Sequence, residues 1–497
     1  MASVYRKEDL SFTVDRDRLI RELGAILPGE GLLVDDEAMR PFECDGLAAY
    51  RQLPLVVALP ETLEQVQDIL RTCHDLSVPV VARGAGTSLS AGALPHPQGI
   101  LLSLAKFNRI LDVDNARRIA RVQPGVRNLA ISEAAAPYGL YYAPDPSSQI
   151  TCTIGGNVAE NAGGVHCLKY GLTIHNVLAA TMVTMEGEVV HLGSEAPDAP
   201  GYDLMAAITG SEGMLGVLVE ITVKLLPQPP ARDVLLASFP EVEAAGRAVA
   251  GIIAAGIIPG GLEMMDNAAI RAAEDFVHAG YPTEAAAILI CELDGNDDEL
   301  ADQVGRVREL FREYGADEIL VARDADEKAR FWAGRKAAFP AVGRISPDYY
   351  CIDGTIPRNR LAEVLARMAE LSETYQQRVV NVFHAGDGNL HPLVLYDGNN
   401  PGEFERTEEL GGKILELCVE VGGTVTGEHG VGMEKINQMC VQFEQGALDQ
   451  FRALKAAFDP AGLLNPGKAI PTLNRCAEFG AMHVHKGQLP HPDIPRF

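Results

Sequence analysis

Three glycine-rich segments lie within the first half of the chain, at residues 83–92, 144–171 and 210–220. They read "RGAGTSLSAG", "PDPSSQITCTIGGNVAENAGGVHCLKYG" and "GSEGMLGVLVE". Because glycine has no Cβ, a backbone rich in glycine can approach a flat or anionic ligand closely. Each segment alone is also compatible with a glycine-rich surface turn. Three of them in one part of the chain favour a large, extended cofactor.

The first glycine-rich segment follows a predicted strand, helix and strand. The two strands are predicted at residues 56–59 and 78–82, and the helix at residues 61–73. Gly84 and Gly86 begin a G-x-G pattern, but Leu89 stands where the dinucleotide-binding motif G-x-G-x-x-G needs its third glycine. Weak helix formers follow it. We therefore expect a loop that holds phosphate with backbone N–H groups, and a nicotinamide dehydrogenase is disfavoured.

The chain of 497 residues is too long for a single hydrophobic core. The sequence pattern changes after "PQPP" at residues 227–230, where predicted alanine-rich helices begin to alternate with predicted strands. We predict three parts: residues 1–228 with a core at about 53–228, a second α+β domain at residues 229–415, and a C-terminal segment at residues 416–497.

The formal net charge of −26 argues against binding of nucleic acid or of an anionic membrane surface. It also means that a small anionic substrate needs a local positive site. The N-terminus lacks an apolar signal segment and no apolar run reaches 18 residues, so a cytoplasmic chain without a membrane span is predicted. The nine cysteines include no C-x-x-C pair, which disfavours an iron–sulfur cluster within this chain.

Two histidines, His384 and His391, stand at either end of the glycine-containing turn "HAGDGNLH". Alone they also fit a surface hairpin, because Asp-Gly-Asn tolerates left-handed backbone conformations. A second glycine-flanked loop, "TGEHGVG" at residues 426–432, carries Glu428 and His429. Two imidazoles and one carboxylate make a three-ligand metal site that leaves positions open for a substrate. Zinc suits this ligand set, and manganese or iron(II) would too.

Taken together, the motifs resemble the FAD-linked D-2-hydroxyacid dehydrogenases of the vanillyl-alcohol-oxidase (PCMH) type. The three glycine-rich segments resemble the FAD-binding domain of that type. Five later motifs resemble the dehydrogenase branch: "FWAGRKAAFPAVGR", "DYYCIDGTIPR", "NVFHAGDGNLHP", "GGTVTGEHGVGMEK" and "FDPAGLLNPGK". The resemblance covers residues 40–490. It implies an α+β fold in which a two-part FAD-binding domain, completed by the C-terminal segment, lies under an α+β cap.

The resemblance also implies roles for single residues. His384, His391 and Glu428 would bind a divalent metal, His429 would act as the base, and Arg335 would bind the substrate carboxylate. The residues expected to contact FAD are Arg83, Gly84, Ala85, Gly86, Thr87, Ser88, Pro144, Asp145, Ser148, Gly155, Gly156, Asn157, Asn161, Gly163, Gly164, Glu212, Gly216, Val217 and Asn465. Some relatives attach FAD through a histidine in the first glycine loop, and here that loop has none. Non-covalent FAD is therefore predicted.

The implied activity is FAD-dependent oxidation of a small 2-hydroxy acid. The motifs are most similar to those of members that oxidise glycolate to glyoxylate, and D-lactate and D-2-hydroxyglutarate are the alternative substrates. A non-catalytic FAD subunit of a redox complex is the alternative from another class, which the presence of all three ligands and the base disfavours.

The reduced flavin needs an electron acceptor. The resemblance implies a second flavin subunit and an iron–sulfur subunit that lead to a quinone, so that the cytoplasmic chain would reach the inner membrane only through its partners. The tail at residues 471–497 holds His483, His485 and His491. It is predicted either to pack on its own domain or to help dock those partners.

Overall fold

The computed structural model describes Tyr5 and residues 10–196 and 201–472 of the chain. Of the tail beginning at residue 471, everything from residue 473 onward lies outside the described residues, so both interpretations of the tail stay predictions.

The first part of the chain combines short helices with three sheets. Its strands are β1 (Leu32–Leu33), β2 (Val56–Ala58), β3 (Val80–Arg83), β4 (Ile100–Ser103), β5 (Ile110–Asp114), β6 (Ile119–Val122), β7 (Leu140–Tyr141), β8 (Val177–Val183), β9 (Val189–Gly193), β10 (Val217–Lys224) and β11 (Leu226–Pro227). Its α-helices are α1 (Arg16–Ile26), α2 (Asp36–Met39), α3 (Leu63–Asp75), α4 (Asn128–Ala135), α5 (Ile154–Glu160), α6 (Cys167–Tyr170) and α7 (Leu204–Ile208). Single 3-10 turns lie at Gly29–Gly31, Arg40–Phe42, Ala136–Tyr138 and Thr173–His175.

The predicted strand–helix–strand at residues 56–82 is confirmed as β2, α3 and β3. Helix α3 begins where the Thr62 side chain accepts the backbone N–H of Gln65, and the Gln65 side chain reaches back to the N-cap backbone. Its apolar face packs with the inner faces of β2, β3 and β4 in one core. No helix follows the first glycine-rich segment, as its weak helix formers predict.

This first part has two larger sheets and the two-stranded pair β7–β11. A four-stranded sheet has the order β1-β2-β4-β3, with β4 parallel to both β2 and β3. A five-stranded antiparallel sheet has the order β5-β6-β10-β8-β9. The C-terminal segment returns to the first sheet, where the Val80 N–H donates to the Leu463 carbonyl and the Asn465 N–H donates to the Val80 carbonyl, each at 2.8 Å. Residues far apart in sequence therefore share this edge.

The middle part is built on one antiparallel sheet of seven strands, in the order β15-β12-β14-β13-β18-β20-β16. The strands of this part are β12 (Ala231–Phe239), β13 (Gly261–Asp266), β14 (Ala287–Gly295), β15 (Glu318–Val321), β16 (Asp348–Cys351), β17 (Gly354–Thr355), β18 (Val379–Phe383), β19 (Asn389–Leu390) and β20 (Pro392–Tyr396). The helices are α8 (Val242–Ala254), α9 (Asn267–Val277), α10 (Asp297–Glu313), α11 (Ala325–Val342), α12 (Leu361–Tyr375) and α13 (Glu403–Glu420), with a 3-10 turn at Arg358–Arg360. Two further helices, α14 (Met439–Gln442) and α15 (Gln445–Phe458), belong to the C-terminal segment.

Helices cover both faces of the seven-stranded sheet. Successive residues of a strand point to opposite faces, so each strand contributes side chains to two cores. Leu235 and Ala237 of β12 join the core formed with α8, α10 and α12. Val234 and Leu236 join the core formed with α9 and α11. Nearly continuous apolar strands such as "AAAILICEL" follow from this double burial.

The predicted domain limits at residues 228 and 415 remain predictions. Among the described residues, no helix has the length and apolar character that a membrane span requires.

Candidate active site

A cavity of about 390 Å³ opens where the three glycine-rich segments meet helix α11 and the "TGEHGVG" loop. We call it the cofactor cavity. Twelve of the predicted cofactor residues line it: Arg83, Gly84, Ala85, Gly86, Thr87, Ser88, Ser148, Gly155, Gly156, Asn157, Glu212 and Gly216. The other seven do not line it: Pro144, Asp145, Asn161, Gly163, Gly164, Val217 and Asn465.

Glycine is needed in the cofactor cavity for two different reasons. At Gly86 the backbone has φ of +68°, and an added Cβ would overlap the guanidinium of Arg83. At Gly156 an added Cβ would meet only the Thr153 hydroxyl, at 3.5 Å, and otherwise open space. Gly86 thus maintains a turn, whereas Gly156 leaves volume free in the cavity wall. That free volume fits a large ligand lying against the backbone.

Several of the residues that do not line the cofactor cavity hold its walls together. Asp145 accepts hydrogen bonds from the backbone and the Nδ1 of His166. Asn161, in a left-handed conformation, accepts the N–H of Ile174. The Asn465 side chain donates to the carbonyls of Gly92 and Glu212. These polar side chains support the cavity from behind.

Glu212 joins the cofactor cavity to the C-terminal segment. Its carboxylate accepts the N–H groups of Val431 at 2.7 Å and Gly432 at 2.8 Å. The Ser88 hydroxyl donates to the carbonyl of His429 at 2.8 Å. The "TGEHGVG" loop is thereby fastened to the wall formed by the first and third glycine-rich segments.

His384, His391 and Glu428 meet beside this cavity, and we call them the histidine–carboxylate cluster. Glu428 Oε1 lies 2.8 Å from His391 Nε2 and 3.4 Å from His384 Nε2. Each residue offers a ligand atom, and the three atoms lie within 4.8 Å of one another. Both histidines are 2% exposed, so the surface-hairpin interpretation is wrong.

Local structure explains the position of each member. His384 directly follows β18, and His391 lies between β19 and β20, after a turn in which Gly388 has φ of +83°. An isolated bridge between His384 and Asn389 closes the turn. The two imidazoles therefore meet edge to face, with ring centroids 5.1 Å apart.

Glu428 is held by a carboxylate that the sequence interpretation did not select. Asp353 accepts the backbone N–H groups of Gly427 at 3.0 Å, Glu428 at 3.2 Å and His429 at 2.9 Å. The ammonium of Lys435 lies 3.0 Å from the same carboxylate, and both side chains are fully buried. This ion pair fixes the loop that presents Glu428 and His429.

The cluster fits a divalent cation on the chemistry of its donors. His384 Nε2 and Glu428 Oε2 are buried without a hydrogen-bond partner. Buried polar atoms are rarely left without a hydrogen-bond partner. Two such atoms within one set of possible metal ligands therefore fit a bound cation. A second group of possible ligands, Cys351, His391 and His429, shares His391 with the first. Only the first group is made of the three residues that the sequence predicts.

Electrostatics separates the cluster from its neighbour His429. Burial opposes protonation of His384, but the carboxylates of Glu263 and Glu428 raise its pKa well above the ordinary value. Burial alone would raise the pKa of Glu428, yet the adjacent imidazoles of His384 and His391 hold it well below the ordinary value. Burial lowers the pKa of His429 to about 4, so its imidazole is neutral at pH 7. His391, Glu428 and His429 all line the cofactor cavity.

Arg335, the predicted carboxylate anchor, is buried at 3% exposure and does not line the cofactor cavity. Its Nε donates to Glu263 Oε2 at 2.8 Å, and its Nη2 lies 2.7 Å from the same oxygen. The next residue, Lys336, is exposed and lines the cavity. The structure therefore offers two cations on α11, one behind the cluster and one at the cavity.

Sequence reasoning missed Glu263, Asp353 and Lys435. Glu263 gave a signal, since it is the one carboxylate within the apolar run "GLEMM" of β13. Asp353 and Lys435 lie inside "DYYCIDGTIPR" and "GGTVTGEHGVGMEK", two of the motifs that carry the family resemblance.

Comparison with known proteins identifies the family of this chain. Residues 54–193 match a family described as FAD binding domain, and residues 228–469 match FAD linked oxidases, C-terminal domain. The chain is 65% identical to the glycolate oxidase subunit GlcD of Escherichia coli K12 over 484 residues, which cover 97% of each chain. This chain belongs to the family of FAD-linked 2-hydroxyacid dehydrogenases.

Other members of this family and more distant structures add detail. A D-lactate dehydrogenase of Anaerostipes hadrus is 33% identical, with 90% of this chain and 96% of that protein covered. The crystal structure of p-cresol methylhydroxylase with substrate bound matches with a TM-score of 0.79 and 16% identity, covering 95% of this chain and 98% of that one. The match to p-cresol methylhydroxylase shows the fold alone, and it confirms the predicted α+β architecture of the PCMH type. The chain is an FAD-linked hydroxyacid oxidoreductase.

Proposed function

We propose that this chain oxidises glycolate to glyoxylate, with non-covalent FAD in the cofactor cavity and a divalent metal at the histidine–carboxylate cluster. One observation carries the proposal: His391, Glu428 and His429 line the same cavity as the glycine-rich segments. A metal, a base and a flavin can therefore act on one small substrate. FAD, when bound, would supply the two-electron acceptor, and the metal would supply a Lewis acid that lowers the pKa of the substrate hydroxyl.

The residues of this chain have separate roles in that reaction. His384, His391 and Glu428 hold the metal. His429, neutral at pH 7, takes the proton from the substrate hydroxyl. Arg335 binds the substrate carboxylate, since its guanidinium has five donors and Glu263 engages one edge only. Lys336 is the second cation that can meet this carboxylate from the cavity side.

The substrate is tested by flavin bleaching. The E. coli relative is a glycolate oxidase subunit, whereas the A. hadrus relative is a D-lactate dehydrogenase, so both acids are candidates. Glycolate, D-lactate and D-2-hydroxyglutarate are mixed anaerobically with the purified protein, and the rate of loss of oxidised-flavin absorbance is followed. We expect glycolate to bleach it fastest. Faster bleaching by another acid would reassign the substrate, and bleaching by none would favour a non-catalytic FAD subunit.

The two cofactors are tested on the same preparation. Acid precipitation should release the yellow colour into the supernatant, because the first glycine loop has no histidine to form a covalent link. Elemental analysis should find zinc, manganese or iron near one atom per chain. Fully active protein without a metal would contradict the ligand assignment, and colour retained in the washed pellet would contradict non-covalent FAD.

The electron acceptor is proposed to be another protein. The E. coli relative is described as a subunit, and a second flavin subunit with an iron–sulfur subunit would pass the electrons to quinone. In this view the chain is cytoplasmic and reaches the inner membrane through those subunits. The chain is reduced with glycolate, and its reoxidation by air is compared with that by an artificial dye. Fast, stoichiometric hydrogen peroxide formation would instead show an oxidase that needs no partner.

A further inference from the structure

Glu263 is a charged residue in the interior of the seven-stranded sheet. It lies in β13, and its side chain is 1% exposed. The neighbouring residues Leu262 and Met264 are fully buried apolar side chains. Because a buried carboxylate is stable only when it is paired or hydrogen-bonded, its partners define its role.

The two oxygens of Glu263 have different partners. Oε1 lies 2.8 Å from Nδ1 of His384. Oε2 accepts from Nε of Arg335 at 2.8 Å, with Nη2 at 2.7 Å. One carboxylate therefore contacts both a proposed metal ligand and the proposed substrate anchor, which lie on different elements.

The first contact determines which nitrogen of His384 is free. With Nδ1–H donating to Glu263, the lone pair of Nε2 points to the other side. Nε2 is also the atom that lies 3.4 Å from Glu428 Oε1 and has no hydrogen-bond partner. Carboxylates that accept from a ligating imidazole fix its tautomer and ring orientation and increase its basicity.

The second contact determines the orientation of Arg335. Its side chain is buried on α11, and it needs a carboxylate partner to stay in the interior. Only Nε donates a hydrogen bond to Glu263, since Nη2 lies close to the same oxygen without a hydrogen bond. The remaining donors of the planar guanidinium are left for another anion.

We propose that Glu263 is a positioning residue that orients His384 toward the metal and Arg335 toward the substrate carboxylate. The proposal rests on the proposed function, because it assigns Glu263 to the same metal and substrate site. It implies that metal affinity and substrate affinity depend on one buried carboxylate. A purely structural role, in which Glu263 only neutralises Arg335, predicts lower stability without a change in either affinity.

The experiment uses FAD-loaded full-length protein and the variants Glu263→Gln and Glu263→Asp. Metal affinity is measured by competition with a chelator, and KM and kcat are measured with glycolate. For Glu263→Gln we expect metal affinity to fall roughly 10–100-fold and KM to rise. Glu263→Asp keeps the charge and both oxygens, so it should recover part of both losses.

Glu292→Gln is the matched control. Glu292 lies on the adjacent strand β14, is buried, and likewise meets a histidine and an arginine, with His166 Nε2 at 3.1 Å and Arg232 Nη1 at 3.7 Å. It contacts neither His384 nor Arg335. Lost stability with unchanged metal affinity is the result expected for this control. An equal loss of metal affinity in Glu292→Gln would overturn the proposal, because it would show a general effect of removing a buried charge.

Two further outcomes distinguish a failure of the Glu263 assignment from a failure of the proposed function. Wild-type metal affinity and KM in Glu263→Gln would reduce Glu263 to a structural residue and leave the proposed function intact. A wild-type protein that binds no divalent metal would overturn the metal site itself and this inference with it. If Glu263→Gln does not fold, the double variant Glu263→Gln/Arg335→Gln leaves no unpaired buried charge and is used for the metal measurement.

Discussion

The cofactor cavity and the histidine–carboxylate cluster adjoin each other but are built on different principles. Glycine-rich backbone contributes much of the wall of the cavity, and its central requirement is free volume, as at Gly156. The cluster consists of buried ionisable side chains that hold one another, such as Glu428 between His384 and His391. Added bulk should therefore damage the cavity most, whereas loss of a charge or a hydrogen bond should damage the cluster most.

The largest expected effect is loss of FAD in Gly156→Leu. The fold should tolerate the change, because an added Cβ meets only Thr153, while the rest of the side chain enters the cofactor cavity. The measurement is flavin absorbance of the purified variant, with circular dichroism as a check of folding. Gly24→Leu, a helix glycine with nothing within 4 Å of its added Cβ, is the control and should keep FAD. Full FAD content in Gly156→Leu would place the cofactor elsewhere.

The next effect is on the chemical step. His429→Ala should keep the flavin spectrum but slow flavin reduction by glycolate roughly 10²–10⁴-fold, the contribution typical of a general base. Stopped-flow absorbance under anaerobic conditions measures it. A rate close to that of the wild type would assign the base to a different residue.

Removal of a charge behind the cluster should reduce stability. Asp353→Asn removes the nearer of the two carboxylates beside the buried Lys435 ammonium and leaves only Glu434, at 3.5 Å. Breaking a buried ion pair costs about 3–5 kcal/mol. Urea denaturation of wild type and variant gives the difference in the free energy of unfolding. A loss below about 1 kcal/mol, the value typical of exposed ion pairs, would show that this pair does not stabilise the loop.

A smaller effect distinguishes the two cations of α11. Arg335→Lys should raise KM for glycolate roughly tenfold, because lysine cannot form a two-point contact with a carboxylate. Lys336→Met tests the alternative that the cation lining the cavity binds the substrate. A rise in KM confined to Lys336→Met would transfer the anchor role from Arg335 to Lys336.

The smallest effect concerns a contact between the first part of the chain and the seven-stranded sheet. His166 lies between Asp145 of the first part and Glu292 of β14, at 2.7 and 3.1 Å. Burial lowers the pKa of His166, but Asp145 and Glu292 together raise it to about 10. A histidine whose pKa is raised by folding makes its full contribution to stability below its unfolded-state pKa of about 6.5. That contribution is lost as the pH rises toward the folded-state pKa.

Because of this contact, the free energy of unfolding of the wild type should decrease as the pH is raised from about 6 to about 10. In His166→Gln that component should be absent, so the wild-type curve should fall more steeply than the variant curve. Parallel curves would show that folding does not raise the pKa of His166.

Much of the cofactor cavity was predictable because its determinants are local in sequence. Glycine spacing, apolar periodicity and the cap at Thr62 act over a few residues. From them the sequence predicts the three glycine-rich segments, the elements β2, α3 and β3, and a loop in place of a Rossmann turn. The members of the cluster were also named correctly as a group that comes together, since His384, His391 and Glu428 do meet. Their roles as metal ligands stay a prediction.

The partners of the buried charges were decided only by the tertiary structure. Glu263 and His384 are 121 residues apart, and they meet because β13 pairs with β18 in a particular register. Asp353 and Lys435 are 82 residues apart, and Arg335 finds Glu263 across 72 residues. A buried charge needs some partner, which the sequence alone already implies. Which partner it finds depends on strand register and helix packing, and these come from the summed burial of many apolar side chains instead of from any short motif.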